Sequence, residues 1–432
     1  MRLHRAVRGL LEALVTQGKE PVNMRDGAVF YAMSAPSTSL AFLRESTDNM
    51  FDAEGILRPL SVDQAGFPYA HDSQTWSPAG IRILGAQTNA LLHSRDGTHA
   101  AWNDTTAIVT RDQIGIDGVA NTATMVTDDR TSSVRRFSQD VTIPDDFNPV
   151  AISILVRRTG GVHRYTGFEL RMYGGPDDLR HRIVVDIVAA SFIAQDGFTA
   201  GSATLDVLSD DWLRLDITVS NDQSGIGTAN LRLFPAYNAD GSETPDAQAV
   251  GFAVVDYPMM AVGSDHTGWS YVETQGSAGT RAADMADVDV SAMDLSDFSF
   301  AVGWNVQGNE GESARVLEFN DGTSGNQVNI SRSGGNVTLN VVADDMVEAS
   351  LVLGSWAPGR HKAVVRIAPD DVAGCMEGGA VVKDTSVVVP SVDTLLLGRS
   401  IGASWLNSTL RGYAIWPAAL SDGALQAQSL RS

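Results

Sequence analysis

The sequence predicts a mainly β protein in which an N-terminal helix precedes two antiparallel β-sandwiches and a short C-terminal helix ends the chain. Glycine is abundant, at 41 of 432 residues, and only 19% of residues are charged, which suits short strands and many turns. Several segments alternate apolar and polar residues with the two-residue period of half-buried strands. The chain is also too long for one ordinary core, so more than one domain is expected.

The N-terminal helix is predicted over residues 2 to 17, where apolar residues recur at helical spacing and the opposite face is basic. The apolar stripe consists of Leu3, Val7, Leu10, Leu11 and Leu14. Because so short a helix is marginal alone, it must dock on something. It either packs on its own domain or anchors the chain in a larger assembly.

Four ranges follow from the pattern: a helix at 1–21, an irregular linker with small β elements at 22–80, one sandwich at 81–280 and a second at 281–432. The linker is expected to lie over the first sandwich. The strand candidates are 150–156, 182–188, 212–219 and 229–234 in the first sandwich and 298–304, 314–319, 327–330, 336–341, 362–367 and 394–397 in the second.

Turn and cap signals agree with this division. Gly55 lies in a predicted tight turn at 51–57, and Gly334-Gly335 and Gly378-Gly379 are typical of hairpins. Ser421 is a suitable N-cap for a terminal helix that reaches Leu430.

Charge and cysteine content exclude several functions. The formal net charge of −21 repels phosphate backbones, which argues against nucleic-acid binding. The single cysteine, Cys375, forms no internal disulfide, so folding in a reducing cytoplasm is expected. No apolar run approaches the roughly 20 residues of a membrane span. Glu12 interrupts the short apolar run near the N-terminus, so a signal peptide is not expected.

Five segments together resemble virion proteins of tailed bacteriophages or gene transfer agents. They are FDAEGIL at 51–57, QTNALLHS at 87–94, AAW at 100–102, GSAGTRAAD at 276–284 and the chain end from 410 to 430. The resemblance covers roughly residues 45 to 432. Two positions depart from the family pattern: Gln87 replaces an arginine, and Gly85 replaces a glutamate.

The resemblance implies a fold and a role. It implies a jelly roll like a carbohydrate-binding module, followed by a concanavalin/laminin-G-like domain. It implies a fibre or spike on the virion, made in the host cytoplasm, usually a homotrimer, that attaches to other virion proteins through its N-terminus. The work expected of such a protein is adhesion to a host surface polysaccharide. A purely architectural head-decoration or tail-adaptor protein is the alternative, and a capsule depolymerase is a third hypothesis.

No catalytic residues are predicted. Gly398 to Gly402 fits the G-x-S-x-G string of serine hydrolases, but no helix follows it, so we interpret it as a turn after a strand. Glycosidases of sandwich folds place paired carboxylates on one strand, and no glutamate here has an aspartate two positions later.

Sugar binding is predicted instead, because an exposed aromatic ring can stack on a pyranose while polar groups fix its hydroxyls. The candidate residues are Trp269, Tyr271, Trp405, Asn407 and Tyr173, with core or interface packing as the alternative. Four other tryptophans are assigned to cores: Trp102, Trp212, Trp304 and Trp416.

No cofactor is predicted, although the sequence leaves structural calcium open at two groups of carboxylates. The alternative is a solvated loop for each group. The groups are Asp284, Asp287 and Asp289, and the pair Asp370-Asp371.

Overall fold

The computed structural model describes residues 40–430 except 72–74, 104–106, 132–134, 239–248, 265–269, 307–312 and 403. Within these residues the chain is mainly β, as predicted, and no helix has the length and hydropathy of a membrane span. The predicted N-terminal helix lies outside them and stays a prediction, as does the anchoring role of Leu3, Val7, Leu10, Leu11 and Leu14.

The described elements are short strands, almost all joined by turns and loops. In chain order they are β1 (Leu40–Leu43), β2 (Asp48–Phe51), β3 (Leu57–Leu60), β4 (Tyr69–His71), β5 (Trp76–Pro78), β6 (Ile81–Ile83), β7 (Gln87–Asn89), β8 (Ile108–Gln113), β9 (Ala123–Asp128), β10 (Phe137–Thr142), β11 (Pro149–Arg157), β12 (Tyr165–Tyr173), β13 (Leu179–Asp186), β14 (Ser191–Thr199), β15 (Gly201–Val207), β16 (Trp212–Ser220), β17 (Thr228–Phe234), β18 (Gly251–Val262), β19 (Gly279–Arg281), β20 (Met285–Asp289), β21 (Phe298–Val306), β22 (Arg315–Asn320), β23 (Gln327–Ser333), β24 (Asn336–Ala343), β25 (Met346–Ser355), β26 (Gly359–Ile367), β27 (Val372–Met376), β28 (Val382–Asp384), β29 (Thr394–Leu397), β30 (Ser408–Trp416) and helix α1 (Asp422–Ser429).

A first pair of antiparallel sheets encloses one hydrophobic core. The five-stranded sheet has the order β10-β17-β12-β13-β14, and the six-stranded sheet has the order β15-β16-β11-β18-β9-β8. Their alternating apolar residues meet between the sheets because successive side chains of a strand point to opposite faces. Phe168, Leu170 and Met172 of β12 are each fully buried in this core.

A second pair of antiparallel sheets encloses the other large core. Its seven-stranded sheet has the order β1-β20-β29-β22-β23-β24-β25, and its six-stranded sheet has the order β28-β27-β26-β21-β30-β6. Phe298, Phe300 and Phe319 pack against one another inside, with ring centroids 5.1–6.1 Å apart. Helix α1 is capped by Ser421, whose Oγ accepts from the Ala424 N–H at 3.3 Å, as the sequence predicts.

The sequence analysis expected the segment before residue 84 to lie over the first sandwich. Two of its strands instead join sheets of the second sandwich. Strand β1 pairs with β20, with Leu40 opposite Val288, and β6 pairs with β30, with Ile81 opposite Leu410. Ile81 and Ile83 are fully buried in the second core. Strands of three or four residues are too short for a period of two to reveal their partner, so the sequence pattern did not reveal these pairings.

A buried group of charges joins this early segment to the region between the two sandwiches. We call it the ionic junction, and it consists of Arg44, Asp48, Arg82, Arg281 and Asp284. Asp284 accepts from Arg44 at 3.2 Å and from Arg281 at 2.5 Å, and Asp48 lies 2.9 Å from the Nε of Arg281. Arg82 donates a hydrogen bond to the Oδ2 of Asp48 at 2.5 Å.

The ionic junction also uses backbone groups to complete its hydrogen bonds. Arg44 donates to the carbonyls of Ser46, Ser61 and Gln64 at 2.9–3.0 Å. Burial would raise the pKa of the Asp48 carboxyl, but Arg82, Arg281 and the Ser270 hydroxyl together hold that pKa well below its ordinary value. The junction is therefore a buried, densely paired ion cluster, with three arginines against two aspartates.

Candidate functional site

The outer side of the five-stranded sheet carries a dense set of polar side chains. In β12, Glu169, Arg171 and Tyr173 alternate with the core residues and so point away from the core. The antiparallel register sets Glu169 opposite both Arg182 of β13 and Arg232 of β17. We call this surface the arginine face, and it consists of Arg136, Asp140, Glu169, Arg171, Tyr173, Asp178, Arg180, Arg182, Asn230 and Arg232.

The centre of the arginine face is a buried carboxylate between two guanidinium groups. Glu169 is fully buried; its Oε1 accepts from Arg232 at 2.9 Å and its Oε2 accepts from the Nε of Arg182 at 2.5 Å. The Arg182 guanidinium also lies over the Phe234 ring, 5.2 Å from its centroid. The three side chains are thus held in place, because a buried charge is stable only when it is paired and hydrogen-bonded.

The exposed end of the face combines two further arginines with one aromatic ring. Arg171 and Arg180 share the Asp178 carboxylate, and their side chains remain 24% and 28% exposed. The Arg171 guanidinium lies 4.8 Å from the centroid of the Tyr173 ring. The Tyr173 hydroxyl donates to Asp140 at 3.0 Å, so the ring is fixed from both sides.

The cations of the arginine face outnumber its anions. Five arginines stand against Asp140, Glu169 and Asp178, although the whole chain has a formal net charge of −21. Burial lowers the pKa of the Arg232 guanidinium. Glu169 opposes that shift, whereas the repulsion of three neighbouring guanidinium groups adds to it, and these belong to Arg171, Arg136 and Arg180. The face therefore has a local excess of positive charge.

This arrangement suits an anion that also presents an apolar surface. Guanidinium groups bind carboxylate and sulfate in a planar, two-pronged geometry. The half-buried Tyr173 ring beside them offers a flat apolar contact. Within the described residues, no group of three or more His, Cys, Asp or Glu side chains could hold a metal ion.

Of the predicted sugar-binding residues, only Tyr173 lies on the arginine face. Tyr271 is 3% exposed and packs in a separate cluster, so it is not the surface ring that the sequence analysis expected. It is buried because the segment 270–272 lies beneath the N-terminal strands, where Asn49 donates to the Tyr271 carbonyl at 2.6 Å. Trp269 lies outside the described residues.

Trp405 and Asn407 lie far along the chain from Tyr173, and they contact segments near the boundary between the two sandwiches. The indole N–H of Trp405 donates to the Asp284 carbonyl at 3.1 Å, and Asn407 accepts from the Gly85 N–H at 2.9 Å. Both hydrogen bonds join the residues just before β30 to other segments of the chain. The structure does not bring these two residues together with Tyr173, and their binding role stays a prediction.

Three of the carboxylates for which calcium was left open pair with arginines. Asp284 is buried in the ionic junction, Asp287 pairs with Arg399 at 2.7 Å, and Asp371 pairs with Arg366 at 2.6 Å. The tryptophans assigned to cores are buried as predicted at Trp102, Trp212 and Trp304, whose exposure is at most 6%. Trp416 is only half-buried and packs against a smaller cluster, because it ends its strand.

Sequence analysis missed the centre of the site, Glu169, Arg182 and Arg232. A signal was present, because Arg182 and Arg232 alternate with apolar residues inside two predicted strands. A charged residue on the polar side of a half-buried strand is ordinarily solvated, so alternation alone does not show that three strands set their charges side by side.

Similarity to known proteins is confined to solved structures. No family model matches the chain, and no curated protein matches its sequence. Among solved structures it is similar to the CBM40 of the Ruminococcus gnavus IT-sialidase bound to α2,3-sialyllactose, with 15% identity over 31% of this chain and 83% of that one and a TM-score of 0.26.

Two further solved structures span more of this chain. Domains LG4–5 of the mouse laminin α1 chain align at 8% identity over 79% of this chain and 93% of theirs, with a TM-score of 0.24. A Trypanosoma rangeli sialidase mutant displaying trans-sialidase activity aligns at 9% identity over 87% of this chain and 67% of its own, with a TM-score of 0.28. Because all three TM-scores are below 0.5, the site rests on the chain's own residues.

Proposed function

We propose that this protein binds glycans and that its arginine face recognises acidic sugars. The observation that carries the proposal is the local excess of guanidinium groups on a strongly acidic chain, beside the half-buried ring of Tyr173. A surface charge of −21 repels acidic polymers in general, so binding one requires a restricted region of opposite charge. The carboxylate or sulfate of a sugar unit would accept hydrogen bonds from Arg171 and Arg180.

The division of the arginine face into a buried centre and an exposed end supports this role. Glu169 holds Arg182 and Arg232 in fixed positions, which reduces the entropy lost when a ligand is bound. Arg171 and Arg180 form the exposed end of the face, where an approaching anion can reach their guanidinium groups.

We further propose that the protein works as a virion fibre or spike that adheres to a host surface polysaccharide. The motifs that resemble tailed-phage virion proteins support this, together with the N-terminal stripe at 2–17 that would anchor the chain. Homotrimers would place three arginine faces on one fibre, and linked weak sites raise the apparent affinity without new contacts. In this proposal the binding is non-covalent and the chain cleaves no glycan.

The test is binding of the full chain to immobilised polysaccharides by surface plasmon resonance. Hyaluronan supplies carboxylates, dextran sulfate supplies sulfates, and unmodified dextran is the uncharged reference. The double substitution Arg171→Gln, Arg180→Gln is expected to weaken binding to the acidic polymers about tenfold or more, since charge-assisted hydrogen bonds are lost.

Arg58→Gln is the matched control, because Arg58 is an exposed arginine that also pairs with one aspartate, Asp52, at 2.6 Å. The control is expected to bind like the native chain. Equal binding of hyaluronan or dextran sulfate by the double variant would overturn the proposal, as would no binding by the native chain. Released oligosaccharide from either polymer would contradict the non-enzymatic part.

A further inference from the structure

A second recess lies where the N-terminal hairpins meet both sandwiches. It has a volume of about 240 Å³, and we call it the tryptophan cavity. Strands β2, β4 and β5 supply its aromatic side, while β15 of the first sandwich and β30 of the second supply the rest. Its defining residues are Phe51, Tyr69, His71, Trp76, Asp206 and Ser408. Ligand sites occur preferentially at such meeting points between domains.

Trp76 is the main wall of the tryptophan cavity, and its neighbours fix its position. Its ring centroid lies 5.4 Å from that of Phe51 and 5.2 Å from that of His71. Gly55, at φ 75°, lies directly against the indole, and a Cβ there would collide with the Trp76 ring. The indole is half-buried, so it is held in one orientation yet remains partly open to a ligand.

A carboxyl group faces this aromatic wall. Asp206 is half-buried, and none of the described residues donates a hydrogen bond to its carboxyl. Burial raises the pKa of this group, the negative charge of Asp216 raises it further, and Arg214 opposes both. Since no side chain of the described residues occupies this half-buried carboxyl, a ligand hydroxyl can donate a hydrogen bond to it.

Beyond Trp76 a larger recess of about 560 Å³ continues the site. Trp76 and His71 line both recesses, so the indole lies between them. The larger recess carries three further carboxylates, those of Glu54, Asp210 and Asp211, against the one guanidinium of Arg157. Its negative charge disfavours an acidic sugar, in contrast to the arginine face.

We propose that the tryptophan cavity binds one uncharged pyranose ring, with Trp76 as the stacking surface and Asp206 as the acceptor for a hydroxyl. Its volume lies just below the range of roughly 300–1,000 Å³ of drug-sized ligand pockets, which suits a single ring. The larger recess receives the neighbouring unit of a neutral oligosaccharide. This site is separate from the arginine face and does not depend on the function proposed for it.

The experiment is saturation-transfer NMR on the full chain with methyl β-D-glucopyranoside and methyl β-D-galactopyranoside as uncharged probes. Methyl β-D-glucuronide is the acidic comparison. The native chain is expected to bind at least one uncharged probe. Trp76→Ala is expected to weaken that binding about tenfold, whereas Trp76→Phe, which keeps an aromatic wall, weakens it only about threefold.

Asp206→Asn tests the polar side, and a loss of about threefold in affinity for the uncharged probe is expected. Asp289→Asn is the matched control, since Asp289 is exposed and accepts from the Ser291 hydroxyl at 2.6 Å. If Trp76→Ala does not fold, as judged by its thermal unfolding, the Trp76→Phe and Asp206→Asn variants still decide the question.

The two sites are separated by crossing the variants. Arg171→Gln, Arg180→Gln is expected to keep the affinity for the uncharged probe and to lose that for the glucuronide. Binding of the uncharged probes that is unchanged in the Asp206→Asn and Trp76 variants would overturn the inference, as would their failure to bind the native chain. Neither result would affect the polysaccharide test of the arginine face.

Discussion

The ionic junction and the arginine face are both clusters of arginines and carboxylates with more cations than anions, yet they are built differently. In the junction, the side chains of Arg44, Asp48 and Asp284 are each 1% exposed. In the face, Arg171 and Arg180 are 24% and 28% exposed. The charged groups of the junction are almost wholly withdrawn from solvent, although Asp48 and Arg281 border a recess of about 570 Å³, whereas one end of the face meets solvent directly.

The two clusters also differ in what satisfies the surplus cation. Arg281 donates to the carbonyls of Gly85 and Ala282 at 3.2 and 2.9 Å, so backbone oxygens complete the junction. At the exposed end of the face, Arg171 and Arg180 both pair with Asp178 and remain accessible to solvent. A charge cluster buried among partners of its own chain serves the fold, whereas a cluster that reaches solvent is accessible to a ligand.

The largest expected effect comes from breaking the ionic junction. Asp48→Asn leaves three buried arginines with too few anions, so we expect the free energy of unfolding to fall by about 3–5 kcal/mol. Urea unfolding measures it, with the exposed-site change Asp289→Asn as control. A loss no larger than that of the control would mean that the junction does not stabilise the fold.

A smaller loss is expected at the buried centre of the face. Glu169→Gln leaves Arg182 and Arg232 without their anion, and unfolding is expected to become easier by about 2–3 kcal/mol, because those arginines adjoin an open surface. Hyaluronan should then raise the thermal midpoint of this variant less than that of the native chain, because Arg182 and Arg232 lose the carboxylate that holds them in place. An equal rise in both proteins would separate Glu169 from binding.

Acid should weaken the ionic junction. The pKa of Asp48 is lowered in the folded chain, so its stabilisation is complete above the unfolded value of roughly 4 and is lost as pH falls towards the lower folded pKa. Below pH 4 this one group contributes a slope of at most about 1.4 kcal/mol per pH unit. Asp48→Asn should flatten the acid side of the stability profile, and an unchanged slope would contradict this.

The smallest effect is expected at the exposed end of the face. Arg171→Gln, Arg180→Gln removes ion pairs that water screens, so the free energy of unfolding should change by no more than about 1 kcal/mol. Urea unfolding at low and at 0.5 M sodium chloride checks it. A loss as large as that of Asp48→Asn would show that these arginines, too, serve mainly the fold.

Sequence reasoning predicted the parts of the fold that depend on local pattern. Strands β11, β16 and β17 cover their predicted segments, and β13 overlaps most of its own, which was predicted to run two residues further. The Gly334-Gly335 hairpin joins β23 to β24 with both glycines at positive φ. Strand β18 was not predicted, since Pro258 and a Tyr257 at φ 44° interrupt the alternation. A bulge of this kind appears only once the partner strand β11 is known.

The candidate site was only partly predictable for a related reason. Tyr173 was selected as an aromatic residue near two glycines, but Asp140, which accepts from its hydroxyl, lies 33 residues earlier on another strand. Asp206 and Trp76 are likewise brought together by tertiary packing. Spacing along one strand indicates which side a residue faces, but the residues beside it depend on strand order, which no single-strand pattern contains.

The joining of β1 and β6 to the second sandwich has a consequence for how the chain is made. The Gly85–Asn407 contact beside β6 links residues 322 positions apart, so the early segment leaves the ribosome long before its partners exist. Ile81 and Ile83 remain unburied until β30 has been synthesised, a period in which a chaperone or a sister chain could hold them. A nascent chain released before β30 is made would leave β6 unpaired, and an unpaired strand edge is prone to associate with other chains.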